Sequence, residues 1–199
     1  RLRLYQYDIP QGKGLVTDMR ALRPDEDLSP LHSIYVDQFD WEKHIGKADR
    51  SLEFLKATVQ KIYQALRTTE HLIYRTYPML EPYLPESITF VHTEDLLAAY
   101  PDLTPKERED AIVRKHGAVF LIGIGGALAH GEKHDGRAPD YDDWSTPTTA
   151  GHCGLNGDLL LWHPVLERAF ELSSMGIRVD AEALMHQLKL EGAEDRQGL

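Results

Sequence analysis

Three aspartates, Asp140, Asp142 and Asp143, fall within the stretch RAPDYDDW that runs from Arg137 to Trp144. Asp158, Glu171 and Arg178 follow in GLNGDLLLW and ELSSMGIR, among glycines and short apolar runs. Acids gathered beside strand-like segments suit a cation or an amine-bearing substrate better than a core. Asp158 and Glu171 are the sharpest pair. If their strands pair about Pro164 and Val165, the two carboxylates face one another, and alternation sets Asp158, Leu160, Glu171 and Ser173 on one sheet face. Opposed carboxylates are destabilising unless a cation sits between them, and Mg2+ bridging nucleotide phosphates is one solution. A side chain turned to solvent at a strand end is the other, and spacing alone does not choose between them. Arg178 has the opposite parity to Glu171, but a bulge at Gly176 would re-aim it.

A second grouping lies near the start. If strands around Gly14–Arg23 and Ser33–Trp41 pair about Pro30 and Leu31, Arg23 and Gln38 fall near one rung. A cation beside an amide suits a phosphate with a purine, or an amino-acid carboxylate. A surface ion pair from Arg23 to Asp25 or Asp27 is the plainer alternative. The run Gly123–Gly126 fails as a dinucleotide fingerprint, since Leu128 stands where the third glycine belongs, and it lacks the Lys-Ser/Thr of a phosphate loop. It reads as a turn after a buried strand. His130, Glu132 and His134 form HGEKH, which is not HExxH, and the flanking glycines oppose the helix that would align two imidazoles, so an exposed loop is expected.

The elements that must position these groups are legible from periodicity and capping. Leu52, Leu55, Val59, Ile62, Tyr63, Leu66 and Leu72 recur at helical spacing between Ala48 and Tyr77, stopped by Pro78. Ile88–His92 is strand-like and leads to a short helix capped by Thr93. Thr104-Pro105-Lys106-Glu107 is a capping box opening a helix to about Lys115. Ala118–Ile124 reads as a buried strand, Asp158–Trp162 and Ala169–Val179 as two more, and Asp180 as the cap of a last helix. Together they predict an α+β fold, a largely antiparallel sheet flanked by helices.

With 42% hydrophobic and 27% charged residues, the 199 residues suit one soluble globular core. A formal net charge of −10 argues against a surface that coats nucleic acid. The longest apolar run, Ala118–Ala129, falls short of the roughly 20 residues a membrane span needs. The single cysteine, Cys153, cannot form an internal disulfide and reads as a bystander thiol, which fits a reducing compartment. With no signal peptide at the start, a cytoplasmic protein is expected. Both ends read as cut, so one domain over residues 1–199, incomplete at both termini, is expected.

ALRPDED, LHSIYVDQFDWE, YPDLTPKERE, GAVFLIGIGG, HDGRAPDYDDWSTP, GLNGDLLLW and HPVLERAFELSSMGIRVD are long, specific segments spread over the whole chain. The chain they make resembles ammonia-dependent asparagine synthetase, the aspartate–ammonia ligase family. The resemblance implies a class II aminoacyl-tRNA synthetase-like catalytic core, a homodimer when full length, and L-aspartate, ammonia and ATP with Mg2+ as partners, with no nucleic acid and no membrane. It implies activation of the aspartate β-carboxylate as β-aspartyl-adenylate, then attack by ammonia to give asparagine and AMP. Arg23 takes the role of the α-phosphate arginine, Gln38 contacts aspartate or adenylate, and Asp142 holds the substrate ammonium. Asp158 and Glu171 are the metal and phosphate-side acids, and Ser173, Ser174 and Arg178 complete the pocket, with Asp37 and Asp40 as further substrate-binding candidates. Asp140 and Asp143 are left to shape the loop.

The family's γ-phosphate arginine would lie beyond Leu199, and a substrate-binding acid, a lysine and much of the dimer interface before Arg1. The loop Asp25–Pro30 is about a residue shorter than usual, and His163 stands where asparagine is usual. A chain so cut is expected to expose sheet edges and to aggregate or fold weakly alone. Two rivals remain at this point. One is a synthetase-like paralogue that binds an amino acid or adenylate without catalysis. The other is an aspartyl-tRNA synthetase fragment, which would need a tRNA-binding module and a basic face that the sequence lacks.

Overall fold

The computed structural model describes residues 2–195. They form two compact units, up to Arg50 and from Ser51 onward.

The first unit is built on an antiparallel hairpin, β1 (Gly14–Leu22) and β2 (Tyr35–Lys43), preceded by a short helix α1 (Leu2–Gln6) that periodicity does not reveal. A tight turn does form at Ser29–His32, where the Ser29 hydroxyl accepts from the backbone of Leu31 and His32. A pairing centred there would set Leu22 opposite Phe39. Instead a second turn, closed by the Glu26 amide donating to the Arg23 carbonyl, folds Pro24 and Asp25 out of the first arm. Leu22 therefore pairs with Tyr35, and every rung shifts.

The second unit carries a four-stranded sheet in the order β3-β4-β5-β6, formed by Thr89–His92, Ala118–Ile122, Asn156–His163 and Arg168–Gly176. β3 runs parallel to β4, and the other two pairings are antiparallel. β4 and most of β5 are buried along their length, as their unbroken apolar runs require. Among the described residues four α-helices accompany the sheet: α2 (Leu52–Thr76), α3 (Thr93–Ala99), α4 (Pro105–His116) and α5 (Ala181–Leu190). The core joins Leu96 of α3 and Ile112 and Val113 of α4 to Val119, Leu121 and Leu160 on one sheet face.

Capping sets the helix ends. α2 begins at Leu52 rather than Ala48, because the Ser51 hydroxyl accepts from the Phe54 amide and the preceding Lys47–Asp49 closes as a 3-10 turn. Its buried face is Leu52, Leu55, Val59 and Tyr63; Leu72, expected to pack, is 55% exposed. α3 is capped by His92 and not by Thr93: the His92 Nδ1 lone pair accepts from the Glu94 amide, while Thr93 donates its hydroxyl to the Gly123 carbonyl at 2.8 Å. On α4 the capping box forms in full, with Thr104 and Glu107 each bonding the other's backbone N–H. Thr104→Ala is expected to lower stability by about 1 kcal/mol, read as a reduced urea midpoint at unchanged m-value.

Candidate active site

The site is organised by the β5–β6 hairpin. Its loop is one residue later than the sequence suggests: His163 pairs with Arg168, the His163 ring accepts from the Leu166 amide, and Glu167 takes a left-handed conformation at φ 50°. A register shift then intervenes, so that Leu159 pairs with Ser173 but Leu160 with Glu171, leaving Leu172 as the extra residue. Asp158 therefore lies opposite Ser174, not Glu171. The two carboxylates still share a face, because Glu171 pairs with Leu160, two residues from Asp158 on the same strand, and moving the loop by one residue leaves that parity unchanged. Ser174 joins that face, while Ser173, expected beside Asp158, moves to the other with Leu159. The same bulge, rather than one at Gly176, puts Ser174 on the face of Glu171, and Arg178 has the parity of Ser174.

The protein supplies a cation to Asp158 itself. Asp158 is 2% exposed and accepts a charge-assisted hydrogen bond from Arg137, whose same nitrogen reaches the Ser174 hydroxyl at 3.2 Å. Arg137 opens RAPDYDDW, and sequence reasoning gave it no role; the signal was a lone arginine among acids destined for a buried face. On α4, Lys106 bonds Glu109 at 3.1 Å and Asp135 at 3.5 Å. Glu109 also holds His134 Nε2 at 3.0 Å. His134 is thus buried against α4 rather than in an exposed loop.

Desolvation dominates the electrostatics here. It raises the Asp158 carboxyl above the ordinary range, against the pull of Arg137 and Ser174. Glu171 is open to solvent on one side, yet the protein crowded around it raises its pKa, and the charge of Asp158 raises it further. Arg137 and Lys106 pull the other way.

Beside this group, Asp142 and Arg178 form an isolated antiparallel bridge, and the Arg178 guanidinium donates to Asp142 Oδ1 at 2.5 Å. That guanidinium also stacks on Tyr141, 3.3 Å from the ring centroid. Asp142 is 4% exposed, and burial raises its carboxyl despite Arg178 and Arg137. Gly176 is required at this point, because a Cβ there would meet Asn156 Cβ at 2.6 Å and Asp142 Cγ at 3.0 Å. Asp143 shapes the loop, as expected. Its carboxylate accepts from the amides of Ser145 and Thr146 and from the Thr146 hydroxyl.

In the first unit the slipped register separates Arg23 from Gln38. The Arg23 amide bonds the Ile34 carbonyl at the loop end of the hairpin, whereas Gln38 pairs with Met19. The Arg23 guanidinium rests on Glu26 at 3.2 Å, an ion pair one residue from either partner the sequence suggested. Asp40 lies opposite Thr17. Asp37 lies opposite Arg20, 3.7 Å from its guanidinium, on the other hairpin face from Gln38.

Among the described residues no three His, Cys, Asp or Glu side chains converge as a ready-made metal site. Two carboxylates on one face nevertheless match the way Mg2+ is held, by one or two carboxylates with phosphate oxygens and water completing its shell. No described helix is long and apolar enough to cross a membrane.

The fold is that of a class II aminoacyl-tRNA synthetase core. Over 96% of this chain and 44% of the other, it superposes on Entamoeba histolytica asparaginyl-tRNA synthetase, a structure solved in complex with asparaginyl-adenylate, with a TM-score of 0.58 at 14% identity. Within that class the sequence is more specific. The Aspartate-ammonia ligase family profile matches residues 1–199, and the chain belongs to that family. It is 56% identical over all 199 residues to an aspartate–ammonia ligase of Parabacteroides distasonis, and spans 58% of that relative's length.

Proposed function

We propose that the protein makes L-asparagine from L-aspartate, ammonia and ATP. An oxygen of the aspartate β-carboxylate attacks the α-phosphorus, pyrophosphate leaves, and β-aspartyl-adenylate forms. Ammonia then attacks the β-carbonyl carbon, loses a proton, and AMP departs. The observation that supports this most, beside family membership, is the pair of guanidinium–carboxylate contacts, Arg137 with Asp158 and Arg178 with Asp142. They set fixed positive and negative groups side by side, which suits a zwitterionic amino acid carrying a second carboxylate next to a phosphate.

In this reading Arg178 takes Asp142 Oδ1 and the substrate ammonium takes Oδ2. Arg137 and Arg178 face the substrate carboxylates and the α-phosphate, with Ser174 as a polar neighbour; Ser173, on the opposite face of the sheet, drops out of the pocket. Arg23 and Gln38 keep the phosphate and aspartate roles that the family resemblance implies, and Asp37 and Asp40 remain substrate-side candidates, each tested by its own substitution. Glu171 with Asp158 would hold Mg2+, which when bound neutralises charge building on the phosphates. Residues 1–199 serve one catalytic core of a cytoplasmic homodimer.

Asp142→Asn is expected to raise the aspartate KM roughly tenfold to a hundredfold, the worth of a charge-assisted hydrogen bond, with the ATP KM little changed. The pH dependence has a definite sign. Because burial raises Asp142, its charge is lost as pH falls through a value above the ordinary carboxylate range. Aspartate KM should rise there in the native protein, and that limb should vanish in Asp142→Asn. The activity itself is tested by incubating the full-length gene product with ATP, Mg2+, aspartate and ammonium. Asparagine and AMP are expected; ADP, or a requirement for glutamine, would overturn the reading.

A further inference from the structure

Gln187, on the inner face of α5, is fully buried and spends its whole side-chain amide on the RAPDYDDW loop. Its Nε2 donates to the carbonyls of Pro139 and Asp142, each at 2.9 Å, and its Oε1 accepts from the Trp144 amide at 2.9 Å. The loop is held from the other side by backbone bonds, Asp143 N–H to the Ile177 carbonyl and Val179 N–H to the Tyr141 carbonyl. The Leu155 amide donates to the Asp143 carbonyl, and the Gln187 amide adds three further bonds, to Pro139, Asp142 and Trp144. That segment carries Asp142 and begins two residues after Arg137. α5 itself starts from the Asp180 cap, two residues after Arg178. One helix thus anchors both sides of the Asp142–Arg178 bridge.

We propose that Gln187 is a positioning residue for aspartate binding. It fixes the backbone from which Asp142 reaches its partner, and touches no substrate itself. Only a primary amide satisfies the three contacts, since they need one acceptor and two donors in a plane. Glutamate has the same size but would set lone pairs against two carbonyls. Methionine keeps the volume and makes none of the bonds. A shift of about 1 Å in a positioned group is enough to lose roughly a hundredfold in catalytic efficiency, so the loss of this pin should be large without any change at the site itself.

The proposal rests on the ligase reading, and its test separates the two. Gln187→Met and Gln187→Glu would be made in the full-length gene product. Aspartate and ATP KM values would be measured alongside native-state hydrogen exchange at the Trp144 amide. Both variants are expected to raise the aspartate KM at least about tenfold while the ATP KM stays within about twofold. Trp144 should lose protection in Gln187→Met while the Asp143 amide, held by Ile177, keeps it. Equal rises in both KM values, unchanged KM values with less active protein, or lost Trp144 protection with a native aspartate KM would each overturn the positioning role. Parent protein without aspartate-dependent turnover would instead sink the ligase reading, and this proposal with it.

Discussion

Replacing Arg137 with methionine is expected to remove at least about a thousandfold of activity and about 3–5 kcal/mol of stability at neutral pH. The stability loss follows from burial. Asp158 is 2% exposed and its guanidinium partner is Arg137, so the variant leaves an ionised carboxylate desolvated and short of compensation. The defect should shrink as pH falls, because protonation discharges the stranded acid; Asp158 already has a raised pKa with Arg137 present, and without it the rise is greater. The double variant Arg137→Met with Asp158→Asn should recover much of the stability and none of the activity. Arg137→Lys keeps the charge but not the planar guanidinium whose one terminal nitrogen reaches both Asp158 and Ser174, and should fall between. Urea titrations at several pH values, with turnover measured on the same preparations, read all four proteins. A stability loss independent of pH would contradict this account of Asp158.

Glu171→Gln should do the opposite to stability and the same to activity. Crowding by protein and the charge of Asp158 raise the Glu171 carboxyl in the folded state. A carboxyl raised on folding contributes stability that is fully present below its unfolded pKa and lost as pH rises through its folded pKa. At neutral pH the ionised side chain is therefore a net burden on the folded protein. The amide removes that burden. The melting temperature of Glu171→Gln should exceed that of the parent at pH 7, by an amount kept small by the solvent exposure of the side chain, and the gap should close as pH falls toward the ordinary glutamate range near about 4.3. Turnover should drop steeply, and added Mg2+ should restore little of it. A lower melting temperature at pH 7 would show that Glu171 is held by contacts that outweigh its repulsion.

Elements defined by local chemistry were legible in the sequence. The Thr104 capping box, the Asp180 cap, the apolar run of β4 and the helical spacing in α2 each depend on neighbours within a turn or two, and each formed. Registers were not, because a register depends on where residues leave the ladder. The excursion at Pro24–Asp25 moved Gln38 away from Arg23, and the extra residue Leu172 moved Ser174 into the place expected for Glu171. The shared face of Asp158 and Glu171 survived because a one-residue shift of the loop moves the pairing by two, which keeps parity, and the bulge lies beyond Glu171. Arg137 and Gln187 were missed for a common reason. Each acts on a group 21 or more residues away, Arg137 on Asp158 and Gln187 on Pro139, Asp142 and Trp144, and nothing in their own neighbourhood marks them. A loop arginine, Arg137, meets Asp158, which the spacing of the acids alone did not indicate.

The central claim is that this site joins aspartate to AMP before ammonia enters. Isotope exchange between pyrophosphate and ATP, measured on the full-length gene product with Mg2+ and no ammonia, tests it most directly. The account predicts exchange that depends on aspartate, is not supported by glutamate, and is lost in Arg137→Met. Exchange without aspartate, or its absence while asparagine still forms from ATP with release of ADP, would contradict it.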